Sequence, residues 1–327
     1  CKPRYFEPSI LKIICDSTRV NTNHLNHKKV TEVMHSIIKK NRMKILQTLV
    51  DSDRVDLNYQ KPEKNETALM IAAQNNNVEA AKILMKNIDR IDPNLQDVKL
   101  RTALHIAVHY KASKVFEFLI RQPSVNMNLI DDFELTPVFS ALYKRNFKFF
   151  ESMLESNKER EKSNDQRYIE NTPESIADFL YNSPLLDPAG VGEIIGNENN
   201  VNILKHYVEH FDFKKMSFEH GFREFLSKFV IPGEAQMIDR IMEQFGVKYY
   251  NDNTNLFSCA DTVYVLAFST LMLHTDAHHP NVKTRMTLDE FIANNKGIDG
   301  GKDLPFSFLE SLYNNITSER IFVSQSP

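Results

Sequence analysis

Apolar residues recur at intervals of three, four and seven in segment after segment of this chain, the spacing of one helical face. The pattern is sharpest between residues 229 and 281. There Pro232-Gly233 breaks the backbone, and Glu234 opens a helix whose Ile238, Ile241, Met242 and Phe245 share a face, with the Glu234 carboxylate presented at its rim. A second helix is predicted from Asp261, as its N-cap, to about Thr275, with Pro280 closing it. It carries two apolar stripes: Tyr264, Phe268, Leu271 and Met272 on one, Val263, Leu266, Thr270 and Leu273 on the other. Such a helix is either fully buried or turns one side to a partner. Upstream, Thr172 caps a helix with Pro173 at its first position, and 185–196 forms a short amphipathic helix ending on Gly196. Ile203, Leu204, Tyr207, Val208 and Phe211 mark another, and Phe218, Phe222, Phe225, Leu226 and Phe229 the next.

The first half of the chain is self-similar. Segment 10–23 recurs as 45–58 with one residue of slip, and the loop asparagines Asn23, Asn58, Asn94 and Asn128 lie 35, 36 and 34 residues apart. Thr67-Ala-Leu-Met-Ile-Ala-Ala73, Thr102-Ala-Leu-His-Ile-Ala-Val108 and Thr136-Pro-Val-Phe-Ser-Ala-Leu142 keep the same spacing. This is similar to the ankyrin repeat, with its period of ~33 residues and its Thr-Pro-Leu-His-x-Ala signature. Each unit is a helix pair that buries its apolar face only by stacking on its neighbours. Ala72, Ala107 and Ala141 occupy the close-packed position between helices, and His105 is expected to bond within the loop framework rather than to a ligand. Residues 30–58 form a degenerate unit with Ile37-Ile38 in the small-residue position. Residues 1–23 read as the tail of a further unit, and the chain, which opens on Cys1 without Met, is expected to be a fragment of a longer one. The array is expected to span 1–155, a charged junction 156–166, and a second domain 167–327, the whole being all-α.

Two segments of that second domain resemble the signature motifs of the Sec7 domain, the exchange factor for Arf-type small GTPases. Residues 229–240 read as the first motif, and 261–282, ending Met272-Leu-His-Thr-Asp-Ala-His-His-Pro-Asn-Val282, as the second. The resemblance covers about 168–323 and implies an all-helical fold. The family's usual first helix, before Asn171-Thr-Pro, is not distinct here, so the last ankyrin helix or the charged run is expected to replace it. The resemblance assigns Glu234 as the glutamate finger and places Asp261, Tyr264, Phe268, Met272, Asp276, His279 and Asn281 on the GTPase-binding groove. It also implies a partial brefeldin A signature in Phe268-Ser269, Asp276 and Met286. Family members often carry Asn at the positions of His274 and His279, which leaves the effect of these two histidines on exchange open.

The chemistry asked of Glu234 is electrostatic. A small GTPase holds GDP through P-loop amides, a lysine and Mg²⁺, and release needs that cluster destabilised without a bond being broken. A carboxylate about 4 Å from the β-phosphate costs roughly 4 kcal/mol at an effective dielectric of 20. Burial of switch-region side chains against Tyr264, Phe268 and Met272 is the expected source of that energy. The bland alternative is that Glu234 only complements the helix dipole. Two other readings stand beside exchange: a scaffold that binds Arf without catalysis, and a metal-dependent hydrolase built on His274, Asp276, His278 and His279. Asp239 and Asp261 show no acid/base partner in the sequence.

Composition narrows the field. The 327 residues, 42% hydrophobic and 25% charged, are enough for two globular domains. A net charge of −3 argues against a nucleic-acid surface spread over the whole protein. Nine glycines and no Trp fit helices joined by short turns. Cys1, Cys15 and Cys259 have no disulfide or zinc spacing, which favours a reducing compartment. No apolar run approaches the ~20 residues of a membrane span. The expected protein is not an enzyme in the bond-making sense and needs no cofactor. Its partners are an Arf-family GTPase, GDP-bound and nucleotide-free, and an unknown protein on the array, with membranes reached only indirectly and no nucleic acid. Its expected place is cytoplasmic, peripheral to Golgi or endosomal membranes.

Overall fold

The computed structural model describes residues 31–38, 42–161, 172–184 and 186–321. The tail unit expected at 1–23, with Asn23, lies outside the described residues, as does the second part of the charged junction, 162–166. Among those described, the regular elements are helices, with two isolated antiparallel bridges, Lys61–Glu66 and Asp299–Lys302. The chain divides into two compact units, Cys1–Asn171 and Thr172–Pro327.

The first unit is built from four helix pairs: α1 (Glu32–Ile38) with α2 (Met43–Val50), α3 (Ala68–Gln74) with α4 (Val78–Met85), α5 (Ala103–His109) with α6 (Ser113–Leu119), and α7 (Pro137–Tyr143) with α8 (Phe147–Glu161). Thr67, Thr102 and Thr136 each cap the first helix of a pair, accepting the backbone N–H of Met70, His105 and Phe139. Each such cap contributes about 1 kcal/mol. Ala72, Ala107 and Ala141 are fully buried where neighbouring helices meet, as expected of the small-residue position. In the degenerate pair Ile37 is buried and Ile38 exposed, so one isoleucine meets the next pair and the other turns to solvent.

The asparagine period is a hydrogen-bond ladder. Asn58 Nδ2 donates to Arg90 O (3.1 Å) while its Oδ1 accepts Asp92 N–H (2.8 Å), and Asn94 repeats this with Ser124 O (2.8 Å) and Asn126 N–H (2.7 Å). His105 is buried and internal: Thr102 N–H donates to its Nδ1 (3.2 Å), and its Nε2 donates to Leu135 O (3.0 Å). Burial lowers its pKa, and the Leu135 bond opposes that shift. The last helix, α8, continues into the charged run as far as Glu161.

The second unit comprises α9 (Pro173–Asn182), α10 (Pro188–Gly196), α11 (Val201–Glu209), α12 (Phe218–Leu226), α13 (Ala235–Asp252), α14 (Ala260–His278), α15 (Leu288–Asn294) and α16 (Phe306–Ser318). Thr172 accepts Ser175 N–H (3.1 Å) with Pro173 following, the expected start. Phe211 and Phe229 lie just beyond the helices their spacing suggested, yet both are buried. With Phe213, Phe218, Phe222, Phe225, Phe245 and Tyr249 they form a continuous aromatic core, for example Phe225 against Phe245 at 5.0 Å and Phe218 against Phe222 at 5.7 Å. This core fixes α13, which packs in turn on α10, α11 and α14.

Candidate functional site

Segment 229–234 is held at several points. The Phe229 ring sits in the aromatic core, Val230 N–H donates to Pro188 O (2.9 Å), and Pro232 is buried. Gly192 permits this approach, because a Cβ there would fall 1.9 Å from the Val230 carbonyl oxygen. At Gly196 a Cβ would meet Met237 Cβ at 2.9 Å, and Arg240 Nε donates to the Gly196 carbonyl (2.9 Å). Helix α10 is therefore a platform on which the loop and the first turns of α13 rest. Glu234 follows in extended conformation, φ −89° and ψ 124°, at the N-cap position of α13. Its carbonyl accepts Met237 and Ile238 N–H, both at 3.1 Å, while its carboxylate makes no capping bond and is exposed.

Helix α14 begins one residue before Asp261, with Cys259 at the N-cap position and no side-chain capping bond there. The expected Asp261 cap is thus corrected: Asp261 lies in the first turn, exposed, and Thr262 instead ties this end down through Ile298 O (3.0 Å) and Asp299 Oδ1 (3.2 Å). The two stripes separate as the sequence suggests. Val263, Leu266, Thr270 and Leu273 are fully buried, whereas Tyr264, Phe268 and Leu271 are partly exposed and Met272 is 53% exposed. The helix turns one apolar face outward.

Gly246 brings α13 and α14 together, since a Cβ there would lie 3.0 Å from Tyr264 Cβ and 3.1 Å from Ala260 O. The helices are joined by the connection 253–259 and run antiparallel. Glu234 therefore lies about 18 Å along α13 from that crossing, and Asp276 about 18 Å along α14 in the same direction. The glutamate shares one end of the helix pair with the second half of the outward stripe. Nearer the crossing, the Tyr264 hydroxyl donates to Asp239 Oδ1. That bond, then partial burial and the charges of Asp239, Glu243 and Asp261, push the Tyr264 pKa up to about 12.

The far end of α14 is bound by the segments that follow it. Asp276 Oδ2 accepts Met286 N–H (2.6 Å), Arg285 donates to Asp276 O, and Tyr313 Oη donates to Met286 O (2.8 Å). His279, at the C-cap position, accepts Asn281 N–H at Nδ1 (3.3 Å), and both residues are exposed. His274 and His278 face each other at 4.9 Å, as their spacing predicts, but each spends Nε2 on the end of the chain: His274 accepts Ile321 N–H (3.0 Å) and His278 donates to Ile316 O (2.8 Å). Burial, then His278, Arg223 and Arg320, lower the His274 pKa to about 4. No group of three His, Cys, Asp or Glu side chains suited to a metal occurs among the described residues.

Sequence reasoning passed over Gly192, Gly246, Arg240 and the Asp239 partnership, and read Gly196 only as a helix end. Gly192 and Gly196 do leave a readable signal, two glycines four apart on one face of a short helix. Gly246 and Asp239 leave none, because their partners on α14 are far away in the chain.

A model of the Sec7 domain matches residues 141–321, more than half of the chain, and ankyrin-repeat models match 34–85 and 99–132. The Sec7 match starts inside α7 and takes in α8. The chain is 47% identical over 152 residues to brefeldin A-inhibited guanine nucleotide-exchange protein 2 of Arabidopsis thaliana, and 47% identical over 152 residues to ADP-ribosylation factor guanine nucleotide-exchange factor sec71 of Schizosaccharomyces pombe. Each alignment covers 46% of this chain and 8% of the relative, so the chain matches less than a tenth of their length. Among solved structures, a Sec7 domain bound to ARF1-GDP and complexed with brefeldin A is 30% identical, with a TM-score of 0.50 over 58% of this chain and 93% of that one. With its two motifs on the loop-helix and outward-facing helix just described, this chain belongs to the Sec7 domain family, and it carries ankyrin repeats ahead of that domain.

Proposed function

We propose that the chain is a guanine-nucleotide exchange factor for Arf-family small GTPases, expelling GDP with Glu234 as a glutamate finger. The observation that carries this reading is the exposed, uncapped Glu234 carboxylate at the end of the helix pair whose other member turns Phe268 and Met272 to solvent. A carboxylate spent on capping its own helix would be held against the N–H groups of that helix's first turn. This one is available to repel a β-phosphate and to receive the lysine that phosphate releases. Asp261, Tyr264, Phe268, Met272, Asp276, His279 and Asn281 form the docking groove in this reading, burial of switch-region side chains driving the charge into place. Asp276 and His279 also order the loop that holds Asn281 and Met286.

The array, residues 1–155 with the junction 156–166, binds a protein partner or regulates access to the exchange domain, 167–327. No helix of the described residues is long and apolar enough to cross a membrane. Placement at Golgi or endosomal membranes, through Arf or through the array's partner, follows from the likeness to brefeldin A-inhibited exchange proteins. The test is release of fluorescent GDP from a purified Arf–GDP complex. Acceleration by catalytic amounts of the chain supports exchange. Stoichiometric binding without acceleration replaces it with the scaffold reading.

A further inference from the structure

The C-terminal ends of α14 and α16 are each closed by an arginine. Arg223, on α12, lays its guanidinium against the end of α16: Nη2 donates to Asn315 O (3.1 Å) and Glu319 O (3.3 Å), and Nη1 to Arg320 O (3.2 Å). A helix C-terminus leaves carbonyls without intrahelical partners and favours positive charge, and this contact meets both needs. Glu219 aims the fork, its Oε1 accepting Arg223 Nε–H (2.9 Å) and its Oε2 accepting Asn315 Nδ2–H (2.7 Å). With 20% of its side chain exposed, Arg223 is held in place rather than solvated.

At Glu319 the backbone becomes extended, and the chain crosses to α14. Arg320 Nη2 donates to His278 O (3.2 Å), a last-turn carbonyl of α14, and Ile321 N–H donates to His274 Nε2 (3.0 Å). His278 Nε2 returns a bond to Ile316 O (2.8 Å). Burial first, then His278, Arg223 and Arg320, keep His274 unprotonated and so able to accept. The stretch gripped in this way, residues 274–278, lies between Met272 and His279. Asp276 within it accepts Met286 N–H (2.6 Å), and Tyr313 of α16 fixes the same loop at Met286 O (2.8 Å). The segment leading to Glu234 rests on α10 instead. The two halves of the site therefore have separate supports.

We infer that Arg223 is a positioning residue for the docking groove, holding Asp276, His279 and Asn281 in register through α16 and the strap 319–321, with Arg320 as the second link to α14. The inference rests on the exchange reading, and adds that docking of the GTPase and expulsion of GDP depend on different parts of the scaffold. Lysine is a poor substitute for Arg223, because its single ammonium lacks the planar fork that spans three carbonyls and Glu219 at once.

The experiment follows GDP release by the full chain and its variants over a range of Arf–GDP concentrations. Arg223→Gln should raise KM at least about tenfold with kcat within about twofold of wild type, as when binding common to ground and transition states is lost. Arg223→Lys should fall between the two, and Arg320→Gln should raise KM about threefold. Hydrogen–deuterium exchange of the free Arg223→Gln protein should be faster over 274–286 and unaltered over 229–240. Lys248→Met breaks a comparable ion pair, with Asp252 and Glu209, at the opposite end of α13 from Glu234, and should lower the urea midpoint without moving KM. An equal KM rise in Lys248→Met would trace the effect to stability alone and overturn the proposal. So would an unchanged KM in Arg223→Gln, a loss confined to kcat, or wild-type amide protection over 274–286. If Arg223→Gln does not fold, Arg320→Gln, whose side chain is exposed, decides by the same KM criterion. A wild-type chain that neither binds Arf–GDP nor speeds release removes the exchange reading and the groove with it. A wild-type chain that releases GDP while Arg223→Gln matches its KM sinks only the positioning role.

Discussion

At the scale of single residues, Glu234 offers the sharpest contrast between stability and activity. Its side chain makes no capping bond and buries nothing, so Glu234→Lys should cost the fold only the dipole contribution, about 0.3–1 kcal/mol. Exchange should instead be abolished, because an ammonium group attracts the phosphate that the carboxylate repels. The variant should still pull down Arf–GDP, whereas Met272→Asp, which places a charge in the outward apolar stripe, should lose binding. Wild-type release by Glu234→Lys would remove the finger assignment. Phe268 tests the drug site: with Ser269, Asp276 and Met286 present, Phe268→Tyr should raise brefeldin A inhibition of exchange from a weak level, and equal inhibition of both proteins would refute it. His274 predicts a pH dependence. Its pKa is depressed to about 4 from an ordinary 6.5, so the unfolded chain binds this proton more readily than the native one. The stability it contributes is full above pH 6.5 and is lost as pH falls toward 4. His274→Asn, which keeps an acceptor for Ile321 N–H, should flatten that part of the curve in urea titrations at successive pH values; parallel curves would disprove the assignment.

At the scale of elements, the array is built without glycine: all nine glycines of the chain lie at residue 190 or beyond. Its tight turns nevertheless demand left-handed backbone, at Asn65, Leu100 and Glu134 in the hairpin tips and at Asn76, Lys111 and Arg145 between paired helices. Asn76 earns its place, its Oδ1 accepting Lys114 and Val115 N–H. Leu100, Lys111 and Glu134 are exposed, and left-handed geometry costs a side chain-bearing residue about 1–2 kcal/mol. Replacing all three with glycine should stabilise the array by about 1–3 kcal/mol after the greater entropy of the unfolded chain is deducted. A urea midpoint that stays put or falls would show that these turns are relaxed as they stand. The regular recurrence of these positions was not legible beforehand, because a left-handed residue is announced by glycine and here glycine is missing.

At the scale of the whole molecule, the link between the two units is the open question for regulation. The run after α8 is charged rather than rich in glycine and proline, which motivates the proposal that the array restrains access to the groove. Residues 160–327 alone should then release nucleotide faster than the full chain at equal concentration. Equal or slower release by the shorter protein would dismiss autoinhibition and leave the array as a binding module only.

The sequence by itself determined the helical class, the repeat period, the threonine caps and the two motifs, because each is a local matter of period, capping chemistry or contiguous composition. It also separated the two stripes of α14, since helical spacing alone places Val263, Leu266, Thr270 and Leu273 opposite Tyr264, Phe268 and Met272. Tertiary structure decided which stripe faces out, because that depends on what α13 and α16 cover. It moved the start of α14 from Asp261 to Ala260, where Thr262 bonds to residues 298 and 299, partners no local pattern could reveal. It closed His274 and His278 onto the backbone at 321 and 316 respectively, and it set Gly192 under Val230 in the loop that leads to Glu234. Each of these joins residues tens of positions apart, and only packing brings such groups within reach of one another.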